Sequence, residues 1–151
     1  MKIEIVTPDK KIFEGDFKIV GPPASVPGLF HGALSYYILR PLYKISGGSP
    51  VFVSAFFRIY NALSVILLFI ITKNLLNKKT AFIAAFIYCI SFEQTQYALF
   101  LGHPAFAVLS VMLYYLGVIM LVKYHQRKGL LFAFVGLGLS LQFHLSLAVL
   151  I

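Results

Sequence analysis

From Val51 to Ile151 the chain is a succession of apolar runs, and its basic residues gather in every second gap between them. A helix that crosses a bilayer needs about 20 mostly apolar residues. Val51–Thr72, Thr80–Leu101, Pro104–Val122 and Gly129–Ile151 each approach or meet that length, the second with one polar interruption. The pattern predicts an all-α, multi-pass membrane helical bundle of about four spanning helices. Composition agrees: 60% of residues are hydrophobic and 12% charged, far from the soluble average.

The net charge of +8 would point to nucleic acid in a soluble protein, but its distribution argues otherwise. Lys73, Lys78 and Lys79 share one short gap, and Lys123, Arg127 and Lys128 share another. The gap between these two, Ser91–His103, has no Lys or Arg. This alternation is the positive-inside pattern. It puts the two basic gaps in the cytoplasm, and Ser91–His103 and the N-terminal region outside, in a plasma (cytoplasmic) membrane. Arg40, Lys44 and Arg58 on the outer side weaken the bias without reversing it. No basic stripe interleaves with exposed aromatics, so no nucleic-acid partner is expected. The single cysteine, Cys89, lies in an apolar run and reads as a small buried hydrophobe.

Three regions follow. Met1–Val20 carries four basic and four acidic residues, and Lys2-Ile3-Glu4-Ile5-Val6 alternates as a strand does. With the turn signal at Thr7-Pro8-Asp9-Lys10, it reads as a short β-hairpin. Residues 21–50 form an outer segment. Gly21–Gly32 holds three prolines and three glycines, which predicts an irregular loop. Ala33–Ile45 reads as a short helix lying in the headgroup zone, with Tyr36, Tyr37, Arg40, Tyr43 and Lys44. Residues 51–151 hold the four spans. Gly136, Gly138 and Ser140 give the last one a small-residue face.

The stretch from Gly21 to Ser91 resembles the amino-terminal part of GT-C-fold membrane glycosyltransferases. It is similar to the protein mannosyltransferase and aminoarabinose transferase-like group. The matching positions are Gly21, Pro22, Pro23, Ser25, Leu29, Phe30, Gly32, Leu34, Tyr36 and Tyr37, a G-P-P-x-S loop leading to L-F-x-G-x-L-x-Y-Y. Gly102-His103-Pro104 resembles the group's W-N-P-like element, and Gly138–His144 its G-L-x-x-Q-x-H stretch. The resemblance implies a membrane-lipid setting, a polyprenyl-phosphate sugar donor and an acceptor on the outer face. It also allows a divalent metal, although the residues themselves show no cofactor motif and no zinc spacing. Met1–Asp16 separately resembles the start of the epsilon subunit of rotary ATP synthases, a likeness read as chance or fusion.

The resemblance also implies an acidic residue in the first outer loop as base or metal ligand, after a first spanning helix. That helix has no counterpart here. Glu4 sits in a strand-like context, and Asp9 and Asp16 lie too close to the loop. The chain therefore reads as part of such an enzyme, inactive alone. The alternative is a small non-enzymatic four-helix membrane subunit or lipid-binding module.

Several residues are candidates for chemistry. Glu93 is the only acid beyond Lys18, at an outer helix end. His103 precedes a helix-starting proline and could bond a donor phosphate or an acceptor. His31 sits in the Pro/Gly loop beside Tyr36 and Tyr37, where it could line an acceptor groove. For the lipid phosphate the candidates are Arg58, Arg40 and Lys44, since a guanidinium matches phosphate oxygens. His144, Gln142 and Ser146 read as helix–helix hydrogen-bonding groups in the last span.

Overall fold

The computed structural model of the protein describes residues 19–24 and 26–150. The hairpin expected within Met1–Val20, the likeness across Met1–Asp16, and Glu4, Asp9, Asp16 and Ser25 lie outside the described residues. The order is β1 (Val20–Pro23), β2 (Phe30–Gly32), α1 (Leu34–Ile45), α2 (Pro50–Leu75), α3 (Lys78–Cys89), α4 (Phe92–Leu99), α5 (Pro104–Val122) and α6 (Lys128–Phe143). A 3-10 helix, Leu145–Leu150, follows.

The prolines and glycines of Gly21–Gly32 do not keep that segment irregular. β1 and β2 pair antiparallel, Val20 opposite Gly32 and Pro23 opposite Phe30, with an irregularity between. A two-stranded sheet has only edge strands, where a missing proline N–H can face outward at no cost. Gly21 permits the close approach: a Cβ there would lie 2.2 Å from the Gly32 carbonyl oxygen.

The helix expected over Ala33–Ile45 is present as α1. It packs on the bundle through Ser35 and Leu39, both buried. Gly47 and Gly48, at φ +63° and +85°, then turn the chain into α2, where Pro50 occupies the first turn.

At 1.5 Å per residue α2 is about 39 Å long and α5 about 28 Å, against a hydrocarbon core of about 30 Å. These two are long and apolar enough to cross a membrane. The other two apolar runs are interrupted. Thr80–Leu101 is not one helix: α3 ends at Cys89, Ser91 is extended, and α4 restarts at Phe92. The polar run Ser91–Gln96 is the cause, because Ser at a helix start and Glu in a first turn both favour a new N-terminus there. α3 alone, about 18 Å long, is too short to cross. The run from Gly129 likewise stops at Phe143, because His144 turns extended, with φ −151° and ψ 108°.

Local caps fix these boundaries. Asn77 Oδ1 accepts hydrogen bonds from the Thr80 amide at 2.9 Å and the Thr80 hydroxyl at 3.1 Å, starting α3. Asn77→Ala is expected to destabilise the fold by about 1 kcal/mol, read as a lower melting temperature in detergent. At the same end Lys123 Nζ donates to the Asn74 carbonyl, and to that of Leu75 at 3.2 Å. A cation there satisfies the orphan carbonyls that close α2. Lys73, Lys78, Lys79, Arg127 and Lys128 are exposed around it, so this is the basic end of the bundle.

α5 and α6 form the most extensive helix pair. Ser110 and Ser140 face each other, Oγ to Oγ at 3.0 Å, beside Gly117, Gly129 and Gly136. Each hydroxyl also reaches back to its own helix, Ser110 to the Ala107 carbonyl at 2.8 Å and Ser140 to that of Gly136 at 2.7 Å. At the other end an aromatic core joins α1, α2, α5 and α6 through Leu39, Val53, Phe57, Phe106 and Phe143. Phe106 lies 4.7 Å from Phe57 and 5.0 Å from Phe143, centroid to centroid. This core supports the hairpin end.

Candidate functional site

Three histidines far apart in the chain meet above the aromatic core. His31 comes from β2, His103 precedes α5, and His144 follows α6. Each is placed by a chain reversal: the hairpin, the Gly102-His103-Pro104 turn, and the extended residue that ends the last helix. The His31 ring centroid lies 4.4 Å from that of His103 and 5.1 Å from that of His144. His103 and His144 are 6.1 Å apart.

The protonation pattern follows from the contacts. The Leu145 amide donates to His31 Nδ1 at 3.0 Å, so that nitrogen carries a lone pair and the ring is neutral with its proton on Nε2. Burial holds the His31 pKa below its ordinary value, and the nearby His144 adds to the effect. His103 is pushed down to about 4, first by burial and then by His31 and His144. Both are therefore neutral at pH 7. His144 Nδ1 lies 2.6 Å from the Ser146 hydroxyl. The hydrogen bonding expected of His144 and Ser146 between helices is thus made within the turn that closes α6. Gln142 reaches the hairpin instead: a Cβ on Gly32 would fall 1.7 Å from its Oε1.

α4 completes the site. Glu93, Gln96 and Tyr97 line a pocket of about 250 Å³ with Phe100, Pro104 and His144. A second pocket, about 280 Å³, runs from His144 and Ser146 past Tyr97 and Gln94 to Tyr88 and apolar residues of α5. Glu93 is exposed, and it is the one carboxylate among the described residues. The structure thus brings His31 and His103 together with His144, and Glu93 joins them through the pocket it shares with His144 and Tyr97. Tyr97 was missed because a tyrosine near a span end reads as a belt residue.

The lipid-phosphate candidates lie elsewhere. Arg58 borders a different cleft, on the far side of α4. Arg40 is half-buried on α1 and Lys44 exposed in its last turn; neither lines these pockets. Among the described residues no three His, Cys, Asp or Glu side chains are placed to hold a metal ion.

The dolichyl-phosphate-mannose-protein mannosyltransferase family matches residues 31–151. The chain belongs to this family. No curated protein and no solved structure gives a significant match. In this mannosyltransferase-family chain the matched region begins at His31 itself and takes in Glu93, His103, His144 and every helix. Family and apolar helices together make it a membrane glycosyltransferase-like protein, as the resemblance that begins at Gly21 implied.

Proposed function

We propose that this chain contributes to sugar transfer from a polyprenyl-phosphate donor to an acceptor hydroxyl, with the hairpin end facing the outer side of the membrane. The observation that carries this reading is the contact of His31, His103 and His144 beside a pocket that His144 shares with Glu93, at the end of the bundle opposite the cluster of Lys73, Lys78, Lys79 and Lys128. The pocket then faces the sugar, and the cytoplasmic surface carries the larger basic cluster.

In the reaction the acceptor oxygen bonds to the anomeric carbon as the bond from that carbon to the phosphate oxygen breaks. The lipid phosphate leaves with the electron pair, and the acceptor proton passes to a base. His103, with its pKa near 4, is too weakly basic for that task at neutral pH. It suits hydrogen bonding to sugar hydroxyls instead. Among the described residues, Glu93 is the carboxylate that lines the pocket.

The test is donor binding and transfer by the purified chain in proteoliposomes. Saturable binding of a polyprenyl-phosphate sugar, weakened several-fold in the His103→Ala and His144→Ala variants, is expected without release of the lipid phosphate. Absent binding would overturn the donor reading, and measurable transfer would overturn inactivity.

Orientation is separately testable. In a Cys89→Ser background, Gln96→Cys should react with a membrane-impermeant maleimide added outside intact cells. Labelling only after the cytoplasmic face is opened would reverse the assignment.

A further inference from the structure

The break between α3 and α4 opens a cleft of about 370 Å³ on the flank of the bundle. Arg58 and Asn61 of α2 form one wall, Gln94 and Thr95 of α4 the other, and Tyr88 closes the end of α3. The remaining lining is apolar, chiefly Val65 and Leu99.

Two polar groups in this cleft are left wanting. Arg58 lies about two turns into α2, exposed, and no hydrogen bond or ion pair engages it among the described residues. A guanidinium at such depth is costly unless it finds an anion or snorkels to the surface. Asn61 is only 4% exposed. Its Nδ2 donates to the Phe57 carbonyl at 3.0 Å, while its Oδ1 receives no hydrogen bond. A buried acceptor without a donor destabilises the fold. The two residues are three apart on one helix, so they share a face.

We propose that the cleft binds a bilayer phospholipid whose phosphate pairs with Arg58 and whose headgroup hydroxyl or ammonium donates to Asn61. Arginine suits the phosphate because its fork meets two oxygens at once. The acyl chains follow Val65 and Leu99 down the flank. Inorganic phosphate satisfies the arginine but leaves the apolar lining uncovered. α4 separates this lipid from the histidine pocket, with Tyr88 and Gln94 lining the spaces on both of its sides. The inference rests on the membrane placement of the chain and not on sugar transfer, so it stands or falls without any sugar donor.

Native mass spectrometry of the full chain, released from nanodiscs of equal phosphatidylglycerol, phosphatidylethanolamine and phosphatidylcholine, tests it. One phosphatidylglycerol or phosphatidylethanolamine should stay bound per chain, with phosphatidylcholine, which has no headgroup donor, retained at least tenfold less. Arg58→Gln should lower retention at least tenfold, and Lys44→Ala should leave it unchanged. Asn61→Leu should keep a lipid bound but bring phosphatidylcholine level with the others. Equal retention by Arg58→Gln, with its helix content intact by circular dichroism, would overturn the proposal. So would indifference of the wild-type chain to the headgroup, which decides the matter even where a variant does not fold. Displacement of the phospholipid by an equimolar polyprenyl phosphate would assign the cleft to the donor and overturn it as well.

Discussion

Gly136→Leu is expected to force α5 and α6 apart, whereas Gly138→Leu, two residues further along the same helix, is expected to be nearly neutral. A Cβ on Gly136 would lie 2.4 Å from the Tyr114 amide nitrogen and 2.7 Å from its Cα, both backbone atoms that no side-chain rotation can move aside. Gly117 is equally confined, with Ala133 N at 2.3 Å from its added Cβ. A Cβ on Gly138 meets nothing within 4 Å. Overpacking a closed interface costs about 1–3 kcal/mol and sometimes more. Leucine against backbone belongs at the upper end, and it also breaks the Ser110–Ser140 contact. In detergent the Gly136→Leu chain should melt about 10 °C or more below the wild type. Gly138→Leu should stay within about 2 °C. Equal melting temperatures for the two variants would mean that the α5–α6 contact does not hold the bundle together.

The same pair of glycines shows where sequence reading reached and where it stopped. The sequence groups Gly136, Gly138 and Ser140 as one small-residue face, but two residues turn a helix by about 200°. The observed stripe is Gly129, Gly136 and Ser140 against Ser110 and Gly117. Gly136 and Ser140 were legible because small residues in an apolar run serve helix contact; Gly138 was not, because its partner surface is absent from the sequence. The bounds of α2 and α5 were legible because length and hydropathy set them. α5 runs over the expected Pro104–Val122. The breaks at Ser91 and His144 were hidden because averaged hydropathy tolerates a few polar residues. The His31–His103–His144 cluster was legible only as separate histidines: three chain reversals bring them together, and no local spacing encodes that.

Acidification is expected to undo that cluster first. His31 accepts the Leu145 amide only while Nδ1 is unprotonated; a proton there sets N–H against N–H and unlatches β2 from the end of α6. A proton on His103 has His31 and His144 for neighbours, at 4.4 and 6.1 Å, and both oppose it. The groups around them are Glu93 and Tyr97 of α4, in the pocket with His144, and Ser146 on its Nδ1. Because the folded pKa values lie below the ordinary 6.5, the unfolded chain binds more protons from about pH 6.5 down to about pH 4. Stability from these residues is therefore fully present above pH 6.5, falls as the pH drops through that window, and levels off below about 4. The melting temperature in detergent should be flat from pH 8 to 6.5 and decline steadily to pH 4.5. The comparison that isolates the histidines is between chains at one pH. A His31→Asn, His103→Asn double variant keeps an acceptor for the Leu145 amide and has no imidazole to protonate at either site. Its melting temperature should hold nearly level where the wild type declines. A decline as steep in the double variant would place the acid sensitivity elsewhere and leave the histidines as packing alone.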